Sequence, residues 1–257
     1  MGKGTFVNAQ GVLCCSVCGQ PKQRKIKIFD EDMTVTCMCR CEIKEKEQRR
    51  QREKVYQREQ RRKVCFNNSN MHSWNFENDS EKGSLLSTVM HNYVDSFSDF
   101  RKEGRGLLLY GNVGTGKTYY AASIANALVD LGYSVYMTNF AKIANDFQNS
   151  FEGRQAYIDS LNGYSLLILD DLGAERKSEF MQELVFNVID SRYRSGKPFI
   201  ITTNLNIDEL KKPHSLELSR VYDRILERCF PVEVNGKNQR RANIRNDYDE
   251  IKKRLGM

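Results

Sequence analysis

The chain has no long hydrophobic run, and this absence argues against a membrane-spanning helix. Of its 257 residues 40% are apolar, yet no stretch approaches the ~18 consecutive apolar residues that a spanning helix needs. The N-terminal stretch "MGKGTFVNAQ" lacks the apolar segment of a signal peptide, and Phe6 stands where a myristoylation motif has Ser or Thr. We therefore expect a cytoplasmic protein with no membrane partner, built as one ordinary domain plus a small appendage.

Cysteine is scarce outside one short segment. Only Cys65 and Cys229 lie beyond residues 14–41, which hold the other six cysteines. In a cytosolic chain such clustering favours a metal site over disulfides. The segment also has too few apolar residues to bury six unrelated thiols in a core. Its composition therefore predicts a metal-binding module.

The spacing of these cysteines predicts a zinc-ribbon layout. Cys15-x-x-Cys18 lets two sulfurs reach one ion, and a second, less regular half follows the strand-like stretch "KIKIFDEDMTV". That stretch predicts two short strands around an acidic turn. Four thiolates complete a tetrahedral Zn²⁺ site, so two of the six cysteines are spare. We expect the zinc ligands to be Cys15, Cys18, Cys39 and Cys41, with Cys14 and Cys37 unused.

Most of the chain carries no excess of positive charge. Residues 1–65 hold 16 Lys/Arg and 8 Asp/Glu, a net +8, while residues 66–257 hold 24 and 25, a net −1. This asymmetry indicates a separate N-terminal module whose partner is acidic, either a nucleic acid or a protein surface. A solvated linker would produce the same imbalance.

Residues 42–63 predict a charged helix in solvent. They contain no Gly or Pro, many strong helix formers, and Glu-to-basic pairs four residues apart such as Glu45–Arg49. Apolar residues are too sparse for a stripe that faces a core, so the helix is a spacer or an arm that touches a partner. The predicted organisation is a zinc-binding module at 1–41, a charged helical linker at 42–73 and a globular domain at 74–257.

Strand-like and helix-like segments alternate through this globular domain. The apolar segments "GLLLYG", "SVYMTNF", "SLLILDD", "PFIITTN" and "FPVEV" predict five strands. Helices are predicted between them, at 117–131, 141–161, 178–195 and across 207–228. Short buried strands separated by helices indicate an α/β fold with a doubly wound, five-stranded parallel sheet.

A complete P-loop follows the first of these strands. Its glycines let backbone N–H groups face phosphates, and the start of the next helix adds a positive dipole. Lys117 is expected to reach the β- and γ-phosphates, and the Thr118 hydroxyl to bind Mg²⁺. The predicted nucleotide-binding residues of the loop are Gly111, Asn112, Val113, Gly114, Thr115, Gly116, Lys117 and Thr118.

Polar side chains end two further strands. "SLLILDDLG" delivers Asp170 and Asp171 to the edge where α/β sheets bind ligands. Asp170 suits the Mg²⁺-side carboxylate, and Asp171 suits the group that orients or deprotonates the attacking water. Asn204 ends "PFIITTN", where its amide is placed to hold that water near the γ-phosphate.

These motifs in this order resemble the AAA+ ATPases, and within them the DnaC/DnaI/IstB group of helicase loaders and transposition helpers. The resemblance rests on "GNVGTGKT", "LLILDDLG", "IITTNL", "SRVYDRI" and "NGKNQRR", and covers about residues 74–245. It implies a P-loop AAA+ ATPase core in which Arg220 is the arginine finger and Arg240 or Arg241 senses the γ-phosphate in cis. Only 23 residues follow Val234, which implies a reduced C-terminal lid.

The resemblance implies an ATP-dependent loader of a replicative helicase, of bacterial or phage type. Its cofactors would be ATP, Mg²⁺ and Zn²⁺, and its partners a DnaB-type helicase, single-stranded DNA and further copies of itself that share ATP sites. The N-terminal cysteine module favours this interpretation, because transposition helpers are not expected to carry one. The alternatives are an IstB-like transposition helper and a zinc-containing DNA-binding adaptor with weak ATPase activity.

Overall fold

The computed structural model describes the chain in two compact units. The first unit is Met1–Glu59 and the second is Gln60–Met257. The described residues are 4–66, 68–149, 153–175, 178–213, 215–236, 238–239, 248 and 251–255.

The first unit begins with two small antiparallel ribbons. β1 (Thr5–Val7) pairs with β2 (Leu13–Cys15), and β3 (Gln23–Ile28) pairs with β4 (Glu31–Thr36). The two predicted strands are thereby confirmed, whereas Glu31 and Asp32, which were expected in the acidic turn with Asp30, belong to β4. The turn of the second ribbon is Phe29-Asp30, with positive φ angles of 48° and 65°, which is the geometry that a two-residue hairpin requires to match the strand twist.

The predicted charged helix is present and somewhat longer than expected. α1 spans Arg40–Cys65, against the predicted 42–63. Most of it is exposed, as its composition requires. Its last turn is different, because Cys65 and the following Phe66, both placed in the linker by the sequence, are buried in the core of the second unit. The globular packing therefore begins before residue 74.

A five-stranded, all-parallel sheet forms the centre of the second unit, as predicted. The strand order is β6-β7-β8-β5-β9. β5 therefore lies beside β8, which in turn lies beside β7, so the carboxyl ends of these three strands meet at one edge. The strands are β5 (Gly106–Tyr110), β6 (Val135–Asn139), β7 (Leu166–Leu172), β8 (Phe199–Thr203) and β9 (Cys229–Glu233).

Helices cover both faces of this sheet. Successive strand residues point to opposite faces, so Leu108 and Leu167 join one core while Leu107 and Leu166 join the other. The first core packs against α5–α9 and the second against α2–α4. The helices are α2 (Leu85–Asp95), α3 (Phe97–Glu103), α4 (Lys117–Asp130), α5 (Phe140–Asn149), α6 (Arg154–Leu161), α7 (Glu179–Arg194), α8 (Ile207–Lys211) and α9 (Leu216–Arg228).

Polar side chains fix where several of these helices begin. Ser178 caps α7 by accepting the Met181 N–H, and Ser215 caps α9 by accepting the Leu218 N–H. α8 begins with a capping box, in which the Asn206 and Glu209 side chains bind each other's backbone N–H groups. Each cap satisfies donors that the first helical turn leaves without an intrahelical partner.

The predicted C-terminal lid falls largely outside the described residues. After Val234 the structure describes only residues 235–236, 238–239, 248 and 251–255, so the reduced lid stays a prediction. Across the described ranges, no helix is both long and apolar enough to cross a bilayer.

Candidate nucleotide-binding site and cysteine cluster

The P-loop lies between the end of β5 and the start of α4. Gly111, Gly114 and Gly116 all have positive φ angles, of 142°, 84° and 101°. A Cβ atom at Gly111 would lie 2.6 Å from the Val234 carbonyl oxygen, so no larger residue fits there without moving the backbone. Gly116 is the N-cap residue of α4. The loop thus has the curled backbone and helix N-terminus that bind phosphate.

Lys117 is held inside this loop. Its side chain is buried, and its ammonium donates hydrogen bonds to the carbonyl oxygens of Gly111 at 2.9 Å and Asn112 at 2.7 Å. The Thr115 hydroxyl donates to the same Asn112 carbonyl at 2.9 Å. Val113, by contrast, is exposed at the loop surface. The ammonium therefore lies inside the curled loop, where its positive charge would attract a bound phosphate.

The structure brings Thr118 and Asp170 together, although 52 positions separate them in sequence. The Thr118 hydroxyl donates to Asp170 Oδ1 at 3.0 Å. The contact follows from strand order, because β8 alone separates β5 from β7 in the sheet. A hydroxyl and a carboxylate are oxygen ligands of the kind Mg²⁺ prefers, so this pair fits the ion that the sequence assigned to it.

Asp171 has a different environment from its neighbour. Its φ angle is 57°, in the left-handed region that non-glycine residues seldom adopt. The pairing of β7 with β8 shifts register between Leu169 and Leu172, so Asp171 lies within this irregularity. Its carboxylate-bearing side chain is exposed at the sheet edge. Because the backbone is irregular here, the two consecutive aspartates have different surroundings. The Asp170 carboxylate contacts Thr118, and the Asp171 side chain is exposed to solvent.

Thr202 was not predicted as a site residue. This fully buried residue of β8 donates from its hydroxyl to Asp170 Oδ1 at 2.6 Å and accepts the Asp171 backbone N–H at 2.9 Å. The only signal in the sequence is a pair of threonines that ends an otherwise apolar strand, "FIITT". Its contacts could not be predicted, because they depend on β7 and β8 being neighbours in the sheet.

The remaining predicted residues lie near the sheet edge or outside the described ranges. Asn204 directly follows β8 and is exposed. Arg220 is an exposed residue of α9, and its guanidinium has no ion-pair partner among the residues that the structure describes. One turn later, Arg224 forms an ion pair with Asp190 at 2.7 Å and stacks on Phe186. Its guanidinium therefore stabilises the packing of α9 against α7. Arg240 and Arg241 lie outside the described residues.

Four cysteines of the first unit converge. Their sulfur atoms all lie within 4.8 Å of one another, with 3.1 Å between Cys39 and Cys41 and 3.6 Å between Cys15 and Cys41. The spare cysteines of the prediction, Cys14 and Cys37, are not part of the group. The converging set is Cys15, Cys18, Cys39 and Cys41.

The surroundings of this cluster favour thiolate at one position and a cation at its centre. The backbone N–H groups of Cys18 and Val17 lower the pKa of Cys15 to about 6, so this thiol ionises at neutral pH. A hydrogen bond to the Cys39 sulfur and burial raise the pKa of Cys41 to about 12, and repulsion from the nearby Cys15 thiolate adds to this shift. A divalent cation among the sulfurs would remove that repulsion, and four sulfurs at this spacing suit tetrahedral Zn²⁺.

An ion pair supports the cluster from outside. Glu42 accepts the Cys39 backbone N–H at 3.2 Å and binds the Lys22 ammonium at 2.7 Å. The same ammonium lowers the pKa of Glu42 and keeps its carboxylate ionised. Groups that hydrogen-bond around ligand residues fix their orientation. Glu42 therefore ties the start of α1 to the second half of the cluster.

Comparison with known proteins agrees with this geometry. The chain is 28% identical over 171 residues to the replicative helicase loader DnaI of Bacillus subtilis (strain 168), covering 61% of this chain and 55% of that protein. It is 32% identical over 119 residues to the replicative helicase loader DnaC of Escherichia coli (strain K12), covering 45% and 47%. An insertion sequence ATP-binding protein of Sinorhizobium fredii (strain NBRC 101917 / NGR234) is 29% identical over 143 residues, covering 54% and 48%. The chain thus spans about half the length of these curated relatives.

Solved structures share the fold. A crystal structure of DnaI matches with a TM-score of 0.56 at 22% identity, covering 68% of this chain and 94% of that one. The second unit therefore has the predicted P-loop AAA+ fold, and the resemblance to the DnaC/DnaI/IstB group is confirmed. A family model described as "IstB-like ATP binding protein" matches residues 30–246. With most of its length covered by that match, the chain belongs to the IstB-like ATP-binding protein family.

Proposed function

We propose that this chain is a Mg²⁺-dependent ATPase that loads a replicative DnaB-type helicase onto single-stranded DNA. The proposal of ATP hydrolysis rests on the contact between the Thr118 hydroxyl and the Asp170 carboxylate. Thr118 directly follows the buried Lys117. A P-loop hydroxyl and a strand-end carboxylate are the protein groups that hold Mg²⁺ in P-loop NTPases. Helicase loading is supported by two relatives, DnaI and DnaC, that carry this name.

Each polar group at the sheet edge has its own task in this proposal. The loop N–H groups and Lys117 hold the phosphates. Thr118 and Asp170 hold Mg²⁺, which when bound offsets the negative charge of the phosphoryl group. Asp171 orients or deprotonates the attacking water, and Asn204 holds the same water from the end of the neighbouring strand.

Two arginines complete the proposed site. Arg220 reaches the γ-phosphate bound by a neighbouring copy, which explains why it lies exposed on α9 rather than paired like Arg224. Arg240 or Arg241 contacts the γ-phosphate of its own chain. ATP binding would then link adjacent copies, and hydrolysis would release them.

The cysteine cluster is the proposed helicase-docking module. It lies in a unit separate from the P-loop, and residues 1–65 carry a net charge of +8. A zinc-stabilised module with its own fold can bind a partner while the ATPase unit engages single-stranded DNA. ATP would thus control an assembly of loader, helicase and DNA.

A second candidate is a transposition helper that presents target DNA to a transposase. The family description and the insertion sequence relative of Sinorhizobium fredii favour it. The cysteine cluster favours loading over this candidate. A zinc-containing adaptor that binds ATP and scarcely hydrolyses it is the third candidate, and the Thr118–Asp170 contact argues against it.

Binding of purified partners separates these candidates. The full chain is mixed with the hexameric replicative helicase from the same genome, or with a transposase from that genome, and followed by size-exclusion chromatography and ATP hydrolysis. We expect a complex with the helicase and hydrolysis that stops in Lys117→Ala. A complex with the transposase alone would favour the second candidate, and helicase binding without any hydrolysis would favour the third.

A further inference from the structure

Thr202 joins the two aspartates through a single oxygen atom. Its Oγ1 lies 2.6 Å from Asp170 Oδ1 and 2.9 Å from the Asp171 backbone nitrogen. The side chain is fully buried near the end of β8. It lies in the strand between β5, which leads into the P-loop, and β7, which ends in the aspartates.

The chemistry of the three groups fixes the direction of both hydrogen bonds. A backbone N–H can only donate, so the Thr202 oxygen accepts from Asp171. An ionised carboxylate can only accept, so the single hydroxyl proton of Thr202 is donated to Asp170. The first bond orients the hydroxyl for the second. Its length of 2.6 Å is that of a charge-assisted bond between a hydroxyl and a carboxylate.

We propose that Thr202 is a positioning residue for Mg²⁺ binding and ATP hydrolysis, a role that rests on the proposed ATPase function. Its hydroxyl fixes the Asp170 carboxylate in the orientation that faces Thr118. Its oxygen also holds the Asp171 backbone in the left-handed conformation beside the register shift, where φ is 57°. One side chain therefore sets the relative placement of the metal-side carboxylate and the water-side carboxylate.

Replacement by valine removes this function and preserves the shape of the side chain. Thr202→Val keeps both branches at Cβ, loses the donor to Asp170 and leaves the Asp171 N–H without its acceptor. Removal of a group that orients a metal ligand costs about 10–100-fold in metal affinity or activity. We expect a loss of that size in the Mg²⁺ affinity of the nucleotide complex and in kcat. ATP affinity measured without Mg²⁺ should change little, because both hydrogen bonds of Thr202 are made to β7 and neither to the P-loop.

The adjacent residue provides a matched control. Thr203 is also fully buried, and its hydroxyl also makes two hydrogen bonds, donating to the Leu172 carbonyl at 2.7 Å and accepting the Leu205 N–H at 3.1 Å. Neither partner is an aspartate. Thr203→Val therefore removes the same chemical group from the same strand, and should lower stability with little change in Mg²⁺ dependence.

The test measures Mg²⁺ dependence in the full chain by two independent readouts. Equilibrium binding of a fluorescent ATP analogue is titrated with Mg²⁺, and steady-state hydrolysis gives kcat and KM. Thr202→Val should weaken the Mg²⁺ response and lower kcat, with KM nearly unchanged at saturating Mg²⁺. A Thr202→Val response equal to that of the unsubstituted chain, or to that of Thr203→Val, would overturn the proposal.

A second pair of variants covers the case in which valine prevents folding. Thr202→Ser keeps the hydroxyl and Thr202→Ala removes it, while both lose the methyl group. Serine should restore most of the Mg²⁺ response that alanine loses, and equal responses would overturn the proposal. The binding readout does not need turnover. If the unsubstituted chain hydrolyses no ATP, the proposed function fails, and the Mg²⁺ titration still decides the role of Thr202.

Discussion

Asp170 and Asp171 are adjacent in sequence, but their side chains have different surroundings. Asp170 accepts hydrogen bonds from Thr118 and Thr202, whereas Asp171 presents an exposed side chain from a left-handed backbone. The motif predicted two carboxylates at this edge of the sheet. The register shift beside them explains how neighbours in the chain come to serve two separate tasks.

Asparagine at each of these positions should therefore give different defects. Asp170→Asn should weaken Mg²⁺-dependent use of ATP, because a neutral amide holds the cation poorly. Asp171→Asn should bind Mg²⁺-ATP normally and lower kcat by about 10²–10⁴-fold, the usual contribution of a group that handles the proton of an attacking water. Nucleotide binding and hydrolysis are measured for both variants, with Lys117→Ala as the control that loses affinity itself. Native hydrolysis by Asp171→Asn would remove its proposed role.

Arg192 is a fully buried residue that the sequence did not single out. Its guanidinium donates to four backbone carbonyls at 2.7–3.4 Å, and burial lowers its pKa to about 10, so it stays charged at neutral pH. The acceptors lie before β7 and β8 and at the end of α6. They are Leu161, Tyr164, Ser165 and Pro198.

Loss of this guanidinium should destabilise the second unit without changing the nucleotide site. Arg192→Met leaves several buried carbonyls without donors, and we expect a loss on the order of 3 kcal/mol in the free energy of unfolding. Arg194→Met, on the same helix with a largely exposed side chain, should change it by about 0.5 kcal/mol or less. Trp74 is the single tryptophan and lies in this unit, so its fluorescence follows the transition in denaturant. Equal changes in the two variants would contradict the role of Arg192.

Local motifs and long-range contacts differ in how far a sequence reveals them. The P-loop was predictable residue by residue, because glycines, a lysine and a threonine at fixed spacing carry their own geometry. Thr202 was not, because its partners belong to another strand and one of them is a backbone N–H. Arg192 was not, because a basic residue on an amphipathic helix is normally exposed. In both cases most of the partners are more than 25 residues away in sequence and are brought close only by the folded sheet and its helices.

At the scale of elements, the cysteine module joins three separate pieces of secondary structure. β2 contributes Cys15, the turn after it Cys18, and the residues at the start of α1 contribute Cys39, just before the helix, and Cys41 in its first turn. The pairs of cysteines indicated a metal site, and the two short strands between them were predicted from the stretch "KIKIFDEDMTV". The end of α1 was harder to place, because the sequence from 60 to 66 remains charged until Cys65 and Phe66 enter the core.

This convergence predicts stoichiometric zinc. The purified chain should contain about one Zn²⁺, held by the four converging cysteines. Cys18→Ser combined with Cys39→Ser should abolish it, while Cys14→Ser combined with Cys37→Ser should leave it intact. Elemental analysis measures the content. Zinc retained by the first pair, or lost from the second, would contradict the ligand assignment.

Removal of the metal should affect one unit only. A structural zinc site contributes its binding energy to folding, so a chelator should unfold the N-terminal module. ATP binding at the P-loop should continue, because the two units are separately packed. Limited proteolysis and nucleotide binding report on the two regions. Loss of ATP binding in step with zinc release would contradict this independence.

At the scale of the whole assembly, the proposed site is shared between copies. An arginine supplied from a neighbour is worth about 10³–10⁵ in rate, because it offsets charge that develops only in the transition state. Arg220→Ala should therefore bind ATP and hydrolyse it poorly. The paired residue Arg224 offers a contrast, since Arg224→Ala breaks its ion pair with Asp190 and should mainly lower stability.

Mixing two inactive variants tests the shared geometry. A Lys117→Ala copy cannot hold ATP and still offers its Arg220. An Arg220→Ala copy holds ATP and lacks the arginine its neighbour needs. Together they form one working junction, so hydrolysis by the mixture should exceed that of either variant alone when DNA or helicase drives assembly. Assembled mixtures with no such rescue would indicate that the arginine acts in cis or is another residue.

Transfer of a helicase to DNA is the most direct measurement of the proposed function. A hexameric replicative helicase from the same genome is incubated with closed circular single-stranded DNA, ATP and the full chain, and the helicase retained on the circles is quantified. ATP-driven loading predicts a clear increase over helicase alone, and this increase should be lost in Lys117→Ala and in the zinc-free Cys18→Ser, Cys39→Ser variant. Retention that the chain leaves unchanged, or that Lys117→Ala supports as well as the unsubstituted chain, would contradict ATP-driven helicase loading.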